Sequence, residues 1–194
     1  MGVRILHLAD LHIGYTPKYL NEEKAVVRAQ DFKDALKRAF DFALAPGNAI
    51  SAVVVAGDLF DHYKPPASDV GLVRGQLERL SSAALPVLVI PGTHDTIGLP
   101  GSVYRTESFP RGVHILAQPL NASPLELTLK GERFLFYWLT YEPGRKTTVV
   151  EYLTGLKGRL PEDAYRVFIA HASVKGSPEW DMRAKDLPVA KEEL

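Results

Sequence analysis

Residues 50–61, ISAVVVAGDLFD, decide the fold. A short apolar run bounded by polar residues fits a strand buried on both faces of a sheet. Gly57 lets the backbone turn sharply where that strand ends, and leaves room beside the acid that follows. Asp58 then stands at the strand exit. In an open α/β sheet, ligands bind outside the carboxyl ends of the strands. One strand ending in Gly-Asp is a weak signal. It gains weight here because three other strand exits also carry metal-ligand residue types.

Upstream, Val3–Ala9 (VRILHLA) reads as a first strand running into Asp10-Leu11-His12. Two apart on an extended chain, Asp10 and His12 share a side. That pair is half of a divalent-cation site or an ordinary surface turn; taken alone it does not say which. Asn21–Ala45 predicts a helix, clearest where Phe32, Leu36, Ala39, Phe40 and Ala43 fall on one face, and Pro46-Gly47 stops it. Strand, helix and returning strand make a βαβ unit and hence a parallel sheet.

Downstream, Asp61 and His62 precede Pro65-Pro66. Ser68 or Asp69 is then expected to cap a helix reaching Ala84, with Val70, Val73, Leu77 and Leu80 as its apolar face. Pro86–Ile90 is a third strand, leaving through Pro91-Gly92-Thr93-His94-Asp95. Gly98–Gly112 reads as a long loop. Val113–Ala117, Leu125–Leu129 and Arg133–Tyr141 read as strands, with Lys130-Gly131-Glu132 a hairpin turn. Phe134, Phe136 and Trp138 share one face and Leu135, Tyr137 and Leu139 the other, so this strand is central. Val149–Leu156 predicts a helix. Arg166–Ala170 is the last strand expected, and it exits at His171.

Composition limits the function. A chain of 194 residues is one domain of ordinary size, or one and part of another. Lys+Arg and Asp+Glu are both 23, so affinity for nucleic acid needs a local basic patch or a partner subunit. The absence of cysteine excludes disulfides and thiolate metal ligands. His7, Asp10 and His12 interrupt any signal-peptide core, Leu6 stands where myristoylation needs Ser or Thr, and no apolar run approaches a membrane span. The expected location is cytoplasmic.

Four strand exits thus offer Asp10-Leu11-His12, Gly57-Asp58, Gly92-Thr93-His94-Asp95 and Ala170-His171. Carboxylates and imidazoles without thiolates suit Mn²⁺, Fe²⁺ or Zn²⁺, with Mg²⁺ a further option. Two such ions about 3.5–4 Å apart can activate water and hold a phosphate. A shared carboxylate keeps the ions together, and Asp58 on the buried middle strand is the natural bridge.

The order Asp-x-His, Gly-Asp-x-x-Asp, Gly-x-His-Asp and then His resembles the calcineurin-like metallophosphoesterases. ILHLADLHIG, Arg28 with Phe32, GDLFD and VIPGTHD bring it near the SbcD-like branch of DNA double-strand-break repair exonucleases. The resemblance covers nearly the whole chain. It implies a two-sheet α/β/β/α sandwich with the metal site at the strand carboxyl ends. It assigns Asp10 and His12 to one metal, Asp58 to both and His171 to the other. His94 would hold the scissile phosphate and assist the leaving oxygen, Asp95 would orient His94, and Asp61 would stand behind the ligands. The implied reaction is metal-dependent, in-line hydrolysis of a phosphodiester, with DNA as substrate. The implied partners are an SbcC-like ATPase and a second copy of the nuclease subunit, with no membrane.

Two departures from the family pattern are visible. Thr93 stands where the family has Asn; its hydroxyl would ligate directly, act through water, or not ligate. No Gly-His-x-His turn follows His171. Residues 1–194 are therefore expected to be a metallophosphoesterase domain incomplete at its C-terminus, with reduced turnover, although decay of the site is an alternative. Hydrolysis of small nucleotides or lipids, and a non-catalytic binding subunit, are the other readings. His7 is expected in or near the core, and His62 in a solvated loop. His114 is assigned to packing or the surface, and Trp138 and Trp180 to core anchoring. The scattered cations Arg105, Arg111, Arg145, Lys146, Lys157 and Arg159 read as solvated faces.

Overall fold

A computed structural model describes residues 2–117, 123–141, 148–157, 160–174 and 187–189. Strands β1 (Ile5–Leu8), β2 (Ala52–Ala56), β3 (Val87–Ile90) and β4 (Val113–Ile115) lie side by side in that order, all parallel. Helix α1 (Glu22–Leu44) joins β1 to β2, and α2 (Ala67–Ser82) joins β2 to β3. Right-handed crossovers that always step the same way put their helices on the same face. Leu36 and Phe40 of α1 and Val73, Leu77 and Leu80 of α2 accordingly share one buried cluster with Val53, Val55, Val87 and Val89.

The opposite face of this sheet meets a second one. Strands β5 (Leu125–Leu129) and β6 (Glu132–Leu139) pair antiparallel, and β7 (Tyr165–Ala170) runs parallel to β6. Lys130 (φ 50°) and Gly131 (φ 83°) form the hairpin turn between β5 and β6. Positive φ at both central residues is the twist that a two-residue turn needs. Phe134, Phe136 and Trp138 pack against Val54, Ala56, Leu88 and Ile90 between the sheets. Leu135, Tyr137 and Leu139 pack on the far side beneath α4 (Val149–Leu156), with Val149 and Tyr152. The layers are α/β/β/α, as β6's two apolar faces require. Each large side chain so buried contributes roughly 1.5–3 kcal/mol.

Several local expectations are corrected. Pro66, not Ser68 or Asp69, precedes the first turn of α2, and no side chain caps it. Asp69 is buried instead, and its carboxylate meets Lys33 of α1 at 2.6 Å. The stretch read as a long loop contains a one-turn helix, α3 (Val103–Thr106). β7 is not the last strand: β8 (Ala172–Val174) and β9 (Leu187–Val189) pair in parallel. Three-residue strands, one with a proline, carry no readable alternation. His7 is exposed, because β1 is an edge strand and its inner face borders an open seam of about 300 Å³ beside Val167 and Ile169. Trp138 is buried as expected; Arg105, Arg111 and Lys157 are exposed. Trp180, Arg145, Lys146 and Arg159 lie outside the described residues. Among the described residues no helix is long and apolar enough to cross a membrane.

Candidate metal centre

The exits of β1 and β2 continue side by side beyond the sheet. The Asp10 N–H donates to the Gly57 carbonyl at 3.2 Å, the His12 N–H to Asp58 O at 2.9 Å, and the Ile13 N–H to Leu59 O at 3.0 Å. Asp61 N–H returns a bond to Ile13 O at 3.1 Å. This zip holds Asp10 (φ 54°), His12 (φ 42°) and Asp58 (φ 50°) in the left-handed region. Asp and His are among the few non-glycine residues that enter it readily. All three side chains thereby face one cavity of about 560 Å³, which Asp61, Thr93, His94 and His171 also line.

Glycines make the close approaches possible. A Cβ on Gly57 (φ +94°) would lie 2.2 Å from His171 Nδ1. A Cβ on Gly92 would lie 2.1 Å from Asp58 Oδ1. The His171 imidazole therefore leans over the β2 exit, and Asp58's carboxylate lies against the β3 exit. There it accepts the His94 N–H at 2.9 Å, and the Thr93 hydroxyl donates to it at 3.4 Å.

The three imidazoles are all anchored through Nδ1. His171 Nδ1–H donates to Ala56 O at 2.9 Å and His94 Nδ1–H to Asp61 O at 3.1 Å. His12 Nδ1–H donates to the Asp61 carboxylate at 3.1 Å. A proton on Nδ1 leaves Nε2 as a lone-pair acceptor. His12 Nε2 nevertheless faces Asp58 Oδ2 at 3.7 Å and Asp10 Oδ1 at 3.8 Å, and His171 Nε2 faces Asp58 Oδ2 at 3.5 Å. Acceptors pointing at acceptors call for a cation between them. Carboxylates holding ligand histidines from behind, as Asp61 holds His12, are the usual outer support of such sites.

The donor set fits divalent ions. His12, Asp58 and His94 form one group whose ligand atoms lie within 4.8 Å of one another; Asp10, Asp58 and His171 form a second. Asp58 belongs to both. The grouping pairs Asp10 with His171 and His12 with His94, whereas the resemblance pairs Asp10 with His12. Asp10 lies near both imidazoles, so the shared position of Asp58 is the firmer feature.

Protonation follows the same geometry. Burial works against a charge on His171, but the bond to Asp58, its negative charge, the Ala56 carbonyl and the Asp10 charge together raise the pKa to about 9. Without a cation, a proton takes the cation's place. Burial is also the largest influence on Asp58 and raises its pKa; His171 and the His94 N–H outweigh it, leaving the carboxyl below its ordinary value.

Asp95 does not orient His94. Its fully buried carboxylate points the other way, accepting from Gly92 N–H at 2.7 Å, Phe60 N–H at 3.1 Å and the Tyr104 hydroxyl at 2.6 Å. His94 takes its orientation from Asp61. Asp95 instead ties the β2 and β3 exits together from beneath, and burial raises its pKa despite those donors. Tyr104 was not singled out from the sequence; it lies on the one-turn α3, where no periodic pattern can form.

Two packed sheets whose strand exits gather acids and imidazoles about one shared carboxylate are the architecture of a metal-dependent phosphoesterase. The chain belongs to the calcineurin-like phosphoesterase family, whose model matches residues 3–183. Among curated proteins it is 28% identical over 195 residues to the DNA double-strand break repair protein Mre11 of Sulfurisphaera tokodaii, covering 96% of this chain and 46% of that one. The protein of the same name from Methanosarcina acetivorans is 32% identical over 184 residues, or 92% of this chain and 27% of that one. The chain spans less than half the length of these relatives.

Proposed function

We propose that this chain is a DNA nuclease domain of the SbcD-like repair type, hydrolysing phosphodiesters with two divalent cations, Mn²⁺ first among them. The observation that carries the reading is Asp58, common to both ligand groups at the foot of one open cavity. The relatives' name, DNA double-strand break repair protein, supports DNA as the substrate. In this reading Asp10, His12 and His171 hold the cations with Asp58, and Thr93 adds a neutral oxygen beside them. When bound, the cations neutralise phosphate charge and acidify the attacking water.

The protein's own residues do the rest. His94 is half-exposed at the cavity mouth, with its Nδ1 proton fixed on Asp61 O. It contacts the scissile phosphate, and its imidazole in the protonated form hands a proton to the leaving oxygen. Asp61 fixes both His12 and His94. Partners in this reading are an SbcC-like ATPase and a second nuclease subunit, acting in the cytoplasm.

The test is cleavage by this chain of linear DNA and of cyclic or dinucleotide substrates with Mn²⁺ or EDTA. Mn²⁺-dependent loss of DNA is expected. Cleavage confined to small nucleotides would replace DNA by that substrate class. Unchanged activity in His94→Ala would point to a non-catalytic subunit.

A further inference from the structure

The walls of the cavity are of two kinds. One is the set of acids, imidazoles and Thr93 already described. The other consists of His62, Tyr63 and Leu99, none of which belongs to either ligand group. The rings of His62 and Tyr63 lie tilted against each other, with centroids 4.4 Å apart and planes inclined by 33°. His62 is exposed and Tyr63 half-buried, and both line the cavity.

This wall is held in place. Lys64 N–H donates to His62 Nδ1 at 3.1 Å, Val103 N–H to Tyr63 O at 2.7 Å, and Ser102 N–H to Leu99 O at 3.2 Å. The start of α3 thus fastens the Tyr63 and Leu99 segments to each other. A site that took only a phosphate group would gain nothing from a fixed aromatic and aliphatic wall. A nucleotide would, because every base has a π-face that stacks on such rings without regard to sequence.

We propose that His62, Tyr63 and Leu99 form a subsite for the nucleobase adjoining the scissile phosphate, turned out of its helical stack. The inference rests on the phosphodiesterase reading above. It makes the preferred substrate a nucleotide whose base is free to turn outward, at a frayed end or in a single strand.

The test compares a fluorescent trithymidylate with the same sugar-phosphate backbone carrying tetrahydrofuran residues in place of bases. Binding to the full chain is followed by anisotropy in Ca²⁺. Wild type should bind the base-bearing form about tenfold more tightly, and that ratio should fall towards unity in His62→Ala and Tyr63→Leu. Equal binding of the two ligands by wild type would overturn the subsite, as would an undiminished ratio in both variants. Cleavage in Mn²⁺ is measured in parallel. Failure to cleave either ligand would count against the phosphodiesterase reading while leaving the binding ratio to judge the subsite.

Discussion

The Tyr104 hydroxyl lies 2.6 Å from Asp95 Oδ2 and donates to a carboxylate with no exposed surface. Through Asp95 it reaches Gly92 and Phe60, and Gly92 lies against the Asp58 carboxylate. Tyr104→Phe keeps the ring and removes one donor to a buried charge. It should cost about 1–3 kcal/mol in urea unfolding. It should also weaken Mn²⁺ binding measured by calorimetry. A stability loss with unchanged Mn²⁺ affinity would confine Asp95 to a packing role.

Gly57→Ala should damage the site more than its size suggests, because the new methyl would sit 2.2 Å from His171 and the backbone is left-handed there. Gly92→Ala should do the same through Asp58. Gly71→Ala, on α2 with nothing within 4 Å, should instead stabilise by roughly 0.5–1 kcal/mol. Unfolding curves for the three variants check both signs.

His171 should make the cation-free protein less stable in alkali. Its pKa rises from 6.5 to about 9 on folding, so its contribution is fully present below pH 6.5 and is lost as pH climbs through 9. The total is on the order of 3 kcal/mol. Asp58 acts at the other end: its contribution is present above 3.8 and lost as pH falls. Divalent cations must displace the His171 proton, so their affinity should tighten from pH 6.5 to 9. Urea unfolding in EDTA and Mn²⁺ titration across that window test the two slopes; flat profiles would exclude the His171–Asp58 pairing.

Asp58→Asn should abolish the thermal stabilisation given by Mn²⁺, since both ligand groups lose their common charge. Asp10, with a side chain 61% exposed, should lose only part of it as Asp10→Asn. Equal effects of the two substitutions would refute a shared ligand.

Lys33 and Asp69 join α1 to α2 at 2.6 Å, with Asp69 6% exposed and packed beneath Gly14. Lys33→Met strands that acid and should cost roughly 3–5 kcal/mol. Replacing both partners by apolar residues should recover most of the loss, which a double-mutant cycle would show.

The layered fold was legible because β2 and β3 are apolar throughout and β6 is apolar on both faces, a pattern only an inner strand carries. The candidate site could be read from the sequence where its residues sit at strand exits, as with Asp58 and His171, which the structure brings to 3.5 Å of each other. It was not legible where direction matters. Asp95 follows His94 in the chain, yet turns into the core to meet Tyr104. Asp69 has the composition of a helix cap but the environment of a buried ion pair. His62 reads as a solvated loop residue because the cavity that it lines exists only in three dimensions. The β8–β9 pair is too short and too distant in sequence to leave a pattern.

The left-handed turns at Asp10, His12 and Asp58 narrow what these positions tolerate over evolutionary time. On the two-cation reading proposed above, each supplies a ligand atom and also accepts a backbone handedness that most side chains resist. Asn at position 58 keeps the turn and loses the charge, while Glu keeps the charge and suits the turn less well. Two unrelated filters thus admit the same few residue types. A lineage that loses the chemistry by drift should therefore still display its former site in the shape of these bends.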